Sequence, residues 1–477
     1  MSTRRKHNTI VTKTDSYKLL HWAMEPENTQ HVYSYQEART GAKFNKTIAF
    51  GYQYYLMEHL AGQVVTKDGI DWGESLTKAH IGSEKFFNRE MWEYILRQYE
   101  GRLPITIKAV PEGTPVDISN AMFTIVNTDK KLTAPLTNHL ETILSMTWAP
   151  STVATLSYEI YKLLEFYRKD TCDTLDGLKF GLHDFGYRGT VIFESAGLLG
   201  AAHLINFLGT DTIAGMETAI DYYNADLNGL AYSVAATEHS IMTALGEEGE
   251  EKMFRDILMK FPSGILSIVI DSYSYQNVSK NFAKKYKDLI LARVPDANGI
   301  PPKVVFRPDS GDPTSVTLEV MENLGEIFGT TENNKGYTEL NPKVGVLWGD
   351  GIDYTGIRNI LFALKLRRYA SNNIVFGMGG GLLQKVDRDT QRFAFKSSAQ
   401  CRDDVWHDVY KKPMDVSKVS KRGILKLVKD DDGSFHTYNI NDPRAQGKQD
   451  QLVEVFKNGE ITKEYSFAEI RKNSGTW

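Results

Sequence analysis

The chain has 477 residues, of which 41% are hydrophobic, 24% charged and 11% aromatic, a composition that excludes a peptide-scale module, a disordered chain and a fibrous one. Its 56 basic and 60 acidic residues leave a formal charge of −4, so nothing global draws it to nucleic acid or an anionic membrane, and any anion site must be local. No run approaches about 18 consecutive apolar residues, and the basic start Arg4, Arg5, Lys6 leads into polar sequence where a secretory leader needs an apolar core; a cytoplasmic enzyme is expected.

In chain order, Thr14, Asp15, Ser16, Tyr17 and Lys18 read on physical grounds as an N-cap and first helical turn. Ser83 precedes Phe87, Met91, Ile95 and Tyr99, apolar residues four apart that end before Gly101, which predicts a capped amphipathic helix. Ile105, Ile107 and Ala109 alternate with polar neighbours up to the turn Pro111, Glu112, Gly113, and Met122 to Val126 forms a second short strand. The N-terminal region is therefore read as mixed α/β. Cys172 and Cys401 are too few for a disulfide framework or a Cys-rich zinc site and read as reduced thiols.

The middle of the chain follows another rule. Short apolar runs end in charged residues or glycine: Phe180 to Arg188, Ser267 to Asp271, Val304 to Asp309, Val344 to Asp350 and Ile374 to Gly381, with helical stretches such as Val316 to Phe328 between them. Loops near Asp184, Asp211, Glu238, Asp271, Asp309, Asp350 and Gly377 recur at the spacing of βα units. A (β/α) barrel with polar residues gathered at one mouth is the economical solution, and a doubly wound open sheet is the alternative. Toward the end, Asp430 to Ser434 is the nearest approach to a linker, and Leu452 to Phe456 leads through Asn458 and Gly459 into a hairpin.

Several strand ends carry chemistry. In Gly377, Met378, Gly379, Gly380, Gly381 the backbone can approach phosphate closely, although neither the dinucleotide fingerprint nor the P-loop pattern is present; a demanding turn without a ligand is the plainer reading. Arg307 and Asp309 place a cation two residues from a carboxylate, suited to an anion and a sugar or Mg²⁺, or simply to an ion pair in a turn. Asp350 between Gly349 and Gly351 suits a sugar diol. Phe185 beside Arg188 suits a flat heterocycle joined to a phosphorylated sugar, against the plainer reading of a core aromatic. His239, between Glu238 and Ser240 at a helix start, is a phosphate binder or a structural histidine.

Together these pieces resemble the nicotinamide phosphoribosyltransferases of the nicotinate/nicotinamide (type II) phosphoribosyltransferase family. The likeness is carried in order by TDSYK at 14 to 18, KAVPEG at 108 to 113, LHDFGYRG at 182 to 189, NF-x-GTDT at 206 to 212, EHS at 238 to 240, DSY at 271 to 273, RPDSG at 307 to 311, GDG at 349 to 351, GGGLLQK at 379 to 385 and YSF-x-EIRKN at 465 to 473. The resemblance implies an irregular (β/α) barrel with an additional α/β domain built from N-terminal and C-terminal segments. It divides the chain into an N-terminal α/β domain over 1–150, a barrel over 151–400 and a C-terminal segment over 401–477 that packs on the first. It also implies a homodimer with shared active sites.

The reaction implied joins nicotinamide to 5-phosphoribosyl 1-pyrophosphate with Mg²⁺, giving nicotinamide mononucleotide and pyrophosphate, with ATP as an optional co-substrate that phosphorylates His239. By resemblance, Phe185 and Tyr17 of the partner subunit sandwich the nicotinamide ring, and Asp211 accepts a hydrogen bond from its carboxamide. Arg188, His239 and Arg307 match phosphate and pyrophosphate binders, Asp309 and Asp350 groups around the ribose, and Gly349, Gly379 and Gly380 places of close backbone approach. Arg388 and Lys396 match cations that reach the 5′-phosphate from the neighbouring subunit. Asp271 lies where the family has a carboxylate near metal and pyrophosphate, and Asp271 and Asp309 are the metal candidates, largely through pyrophosphate and water. A carboxylate at Asp211 welcomes an amide donor and repels nicotinate, so amide specificity is predicted. The chain departs from the vertebrate pattern at Ala235, where that pattern has proline, and at Ala394, where it has serine. Competing readings are a nicotinate or quinolinate transferase, a barrel hydrolase or lyase using Asp309 and Asp350, and a catalytically silent binding protein on the same fold.

Overall fold

The computed structural model describes residues 9–411, 414 and 419–477, so the basic start at Arg4, Arg5 and Lys6 lies outside the described residues. Its centre is a seven-stranded parallel sheet. The spatial order is Gly209–Thr210, Leu182–Asp184, Ile374–Met378, Val344–Trp348, Lys303–Arg307, Ile265–Val269 and Ala235–Ala236. These strands are covered on both faces, which is why they read as continuous apolar runs: all five residues of Val344–Trp348 are buried. The two edges meet. Gly209 makes a parallel bridge to Tyr232, and the Thr210 amide donates to the Tyr232 carbonyl at 3.0 Å. An open doubly wound sheet has no such closure; the sheet curls into an irregular barrel.

Each polar strand end in the sequence is indeed the C-terminal end of one of these strands. Helices return the chain between them, among them Phe193–Leu204, Ile213–Tyr223, Glu250–Lys260, Pro313–Phe328 and Tyr354–Leu366. The fourth starts three residues before the predicted Val316, because Pro313 takes the first turn and Asp312 caps it, accepting the Ser315 amide at 2.8 Å.

A second seven-stranded, antiparallel sheet runs Val405–Asp408, Phe393–Arg402, Thr29–Ala38, Ala121–Asn127, Ile105–Ala109, Val453–Lys457, Glu460–Ile461. It contains both predicted N-terminal strands and the predicted C-terminal hairpin, whose turn residues Asn458 and Gly459 have φ of 50° and 88°.

Three local expectations are corrected. The amphipathic helix spans Arg89–Gln98 and is capped by Asn88, whereas Ser83 caps a separate 3-10 turn at Glu84–Phe86. Ser16–Ala23 is a 3-10 helix whose Asp15 makes no capping bond, because that carboxylate takes the Thr142 hydroxyl at 2.6 Å. Asp430 to Ser434 is no linker but the turn joining the antiparallel strands Leu425–Lys429 and Phe435–Asn439. Both cysteines are buried and free. Among the described residues no helix is long and apolar enough to cross a membrane.

Candidate active site

The strand ends bring most of the expected residues to one mouth. Phe185, just past Leu182–Asp184, is half-buried, and its amide donates to the Met378 carbonyl at 3.0 Å, so the aromatic residue is tied to the end of the neighbouring strand. Its ring lies across Gly377, where an added Cβ would meet Phe185 Cε2 at 2.0 Å. The next strand adds Gly349, whose added Cβ would lie 3.6 Å from the same ring atom and 3.3 Å from Asp309 Oδ1. Gly379 follows, its Cβ position 3.4 Å from the Phe185 carbonyl, and Gly380 opens the short helix Gly380–Leu383. At Gly377, then, the absence of a side chain makes room for an aromatic plate.

Asp211 follows Gly209–Thr210. Its backbone N–H donates to the Asp184 carbonyl at 2.9 Å, which places it one hydrogen bond from the residue that precedes Phe185. The Ser233 hydroxyl donates to Asp211 Oδ1, and the carboxylate is otherwise exposed. Beneath them Asp184 is buried, with Oδ1 accepting the Gly186 amide at 2.7 Å; burial pushes its carboxyl up to about 6.

The opposite side of the mouth is charged. His239 opens a one-turn helix and is about half exposed, with Nδ1 3.0 Å from the Ser272 hydroxyl. That leaves Nε2 facing two carboxylates, Asp271 Oδ1 at 3.9 Å and Asp309 Oδ2 at 3.8 Å. Asp271 Oδ2 takes the Ser310 hydroxyl, while Oδ1 is buried with no hydrogen-bond partner among the described residues. Arg307 is anchored by Nη2 donating to the Thr237 carbonyl at 2.7 Å, and its Nε is also buried, with no hydrogen-bond partner among the described residues. Burial raises the Asp309 carboxyl above its usual value; Arg307 and His239 pull it down, and Asp271 and Asp350 push it up. Asp350 is exposed, held by its carbonyl accepting the Trp348 indole N–H at 2.7 Å. A buried guanidinium N–H and a buried carboxylate oxygen left open within one charged cluster are groups that await a ligand.

No three His, Cys, Asp or Glu among the described residues converge to hold a metal by themselves. Mg²⁺ characteristically takes one or two carboxylates and completes its shell with phosphates and water. Asp271, with its open oxygen, and Asp309 on the other side of His239 fit that donor set.

Four expected residues stand apart from this hydrogen-bonded cluster. Arg188 is exposed on the short turn after Phe185. The Tyr17 ring packs edge-on to His21, 5.2 Å between centroids, in the N-terminal region. Arg388 is exposed in the loop leading to Phe393–Arg402, and Lys396 lies within that strand in the antiparallel sheet. Lys396 pairs with Glu37 at 3.1 Å, and Glu37 also binds Lys421. Glu37, Lys421 and nearby Arg39 are residues that sequence reasoning missed; the only signal was a lone carboxylate in a strand otherwise made to be buried.

Residues 180–460 match the family described as the nicotinate phosphoribosyltransferase (NAPRTase) family, and residues 9–107 match the nicotinamide phosphoribosyltransferase N-terminal domain. A nicotinamide phosphoribosyltransferase of Xanthomonas campestris pv. campestris is 40% identical over 473 residues, covering 98% of both chains. One from Acinetobacter baylyi is 33% identical over 496 residues, covering 96% of this chain and 95% of its own. The fold is similar to a nicotinate-nucleotide pyrophosphorylase from Pyrococcus furiosus, with a TM-score of 0.58, 15% identity and coverage of 99% and 96%. It is also similar to human nicotinic acid phosphoribosyltransferase, with a TM-score of 0.56, 15% identity and coverage of 97% and 93%.

Proposed function

This chain belongs to the nicotinamide phosphoribosyltransferases of the nicotinate phosphoribosyltransferase family, and from that membership we propose which of its residues carry the reaction. The enzyme transfers the phosphoribosyl group of 5-phosphoribosyl 1-pyrophosphate to nicotinamide, forming nicotinamide mononucleotide and pyrophosphate in NAD salvage.

The pyridine nitrogen already carries a lone pair, so no general base is needed. It attacks C1′ of the ribose as the C1′–O bond to pyrophosphate breaks, and the chain must align the two and stabilise an oxocarbenium-like sugar. Phe185 supplies one face of the nicotinamide sandwich and Tyr17 of the partner subunit the other. Asp211 accepts the carboxamide N–H. Arg307, His239 and Arg188 receive the pyrophosphate and phosphate oxygens, with the open Nε of Arg307 as one donor. Asp309 and Asp350 face the ribose, and Gly349, Gly379 and Gly380 let backbone approach the substrate. Arg388 and Lys396 serve the 5′-phosphate of the neighbouring site in a homodimer. Asp271 and Asp309 are the carboxylates that would hold Mg²⁺ together with the pyrophosphate, and the ion would supply charge neutralisation of the leaving group. ATP, as an optional co-substrate, transfers its γ-phosphoryl group to His239: with Nδ1–H donating to the Ser272 hydroxyl, the Nε2 lone pair forms the P–N bond as the bond from the γ-phosphorus to the bridging oxygen breaks and ADP leaves. The setting proposed is the cytoplasm.

The observation that carries the amide reading is the bond from the Asp211 amide to the Asp184 carbonyl, which fixes selector and aromatic plate in one frame. Substituting Asp211→Ser keeps a small polar side chain and removes the charge. The preference for nicotinamide over nicotinate, measured as the ratio of kcat/KM values, is expected to fall by at least about tenfold, the worth of one charge-assisted hydrogen bond. An unchanged ratio would remove this account of specificity.

A further inference from the structure

The cluster around Glu37 has a geometry that the assigned roles leave unexplained. Glu37 lies near the end of Thr29–Ala38 and is only 3% exposed. Its carboxylate is divided between two lysines from different parts of the chain. Oε1 binds Lys396 Nζ at 3.1 Å, and Oε2 binds Lys421 Nζ in a shorter contact. The side chains of these lysines are 11% and 19% exposed, so neither ammonium is simply a solvated surface group. Lys421 is fixed a second way: its backbone N–H donates to the Tyr35 hydroxyl at 2.9 Å, and its ammonium stands 5.6 Å from the Tyr35 ring centroid. Arg39 adds a third positive charge close to Lys396, its Nε donating to the Arg392 carbonyl at 3.0 Å.

Among the described residues, three cations around one buried carboxylate leave a surplus of positive charge in a half-desolvated place. Buried charge is tolerated when it is paired, so the surplus calls for an anion. Each ammonium has three N–H donors and gives one to Glu37, which leaves the others for that anion, side by side. We propose that Glu37 is a positioning residue for the phosphate monoester end of the phosphoribosyl substrate, holding Lys396 and Lys421 together so that both donate to one phosphate. This rests on the reading of Lys396 as a phosphate-facing cation. Without the carboxylate the two ammoniums repel each other, and burial, which already pulls Lys396 below its usual range, is no longer opposed by Glu37. One lysine then swings away or loses its proton.

Calorimetric titration with ribose 5-phosphate, beside steady-state kinetics with each substrate varied, tests this on full-length wild type, Glu37→Gln and Glu37→Asp. Affinity for ribose 5-phosphate is expected to fall roughly tenfold in Glu37→Gln, and KM for phosphoribosyl pyrophosphate to rise by a similar factor. KM for nicotinamide should stay within about twofold. Glu37→Asp keeps the charge but is one methylene too short to span both lysines, so it should show a smaller change in the same direction. It carries the test if the glutamine variant does not fold. Unchanged affinity in a folded variant overturns the proposal. So does tighter binding, which would make Glu37 a competitor for the lysines, or an equal loss for both substrates with a lowered melting temperature, which would make it scaffold. Failure of the underlying functional reading looks different: wild type would bind ribose 5-phosphate yet make no nicotinamide mononucleotide.

Discussion

Gly377 shows how one residue sets the shape of the site. A methyl group there would stand 2.0 Å from Cε2 of Phe185, far inside van der Waals contact, so Gly377→Ala must displace the ring. The expected result is a KM for nicotinamide raised at least about tenfold with ribose 5-phosphate binding retained, because the lost surface is aromatic and not anionic. Equal losses for both ligands would show that the glycine supports the whole mouth. The sequence reading marked this glycine run as a place of close approach but assigned the approach to phosphate. It had no means of seeing that the group lying on Gly377 comes from a residue nearly two hundred positions earlier, Phe185. Arg307 and Asp309 were legible as candidates because charged residues at the end of an apolar run have few structural reasons to be there; His239 follows no such run and was read from its place between Glu238 and Ser240 and from the resemblance. Glu37 was not, since its lysine partners come from strands and loops far along the chain.

Among elements, the barrel strands were the most readable part of the fold, for a physical reason. Strands covered on both faces are written as unbroken apolar runs, and Val344–Trp348 has no exposed residue to interrupt the pattern. The two-residue strands Gly209–Thr210 and Ala235–Ala236 carry no pattern of their own and were found only through the polar loops at Asp211 and Glu238. A joint between distant segments of the chain was invisible in sequence. It centres on Glu112, whose carboxylate accepts the amides of Gly51 at 3.0 Å and Gln53 at 2.7 Å. Gln53 in turn donates to the Tyr465 carbonyl, and the Glu112 carbonyl takes the Asn473 side chain at 2.9 Å, tying the C-terminal helix to the same turn. Complete burial pushes the Glu112 carboxyl from 4.5 up to about 7. Because the folded value lies above the unfolded one, the stability this group contributes is full below about 4.5 and is lost as pH rises through about 7. The slope is about 1.4 kcal/mol per pH unit inside that window. Glu112→Gln removes the titration, so its melting-temperature deficit relative to wild type should shrink between about pH 5 and about pH 8. A deficit independent of pH would mean that Glu112 is already ionised in the folded protein across that range.

At the scale of the whole molecule, the antiparallel sheet is assembled from both ends of the chain, with strands from 29–127 beside strands from 393–461. It carries Lys396 and the Glu37 cluster, while the barrel carries Phe185, Asp211, His239, Arg307 and Asp309. Sharing sites between two subunits would reconcile this division with a single phosphoribosyl substrate, since cations of one sheet would then face the mouth of the other barrel. The irregular barrel and the family were legible because ten motifs occur in order along the chain; the pairing of distant strands was not, because register is set by contacts that no local pattern records. The role proposed for Asp211 at the mouth is that it makes the enzyme take the amide. The most direct measurement is product formation from 5-phosphoribosyl 1-pyrophosphate and Mg²⁺ with nicotinamide and nicotinate offered separately to the wild-type protein. Nicotinamide mononucleotide formed from the amide, with little or no product from the acid, is the predicted result; equal or better use of nicotinate, or turnover of neither, would contradict it.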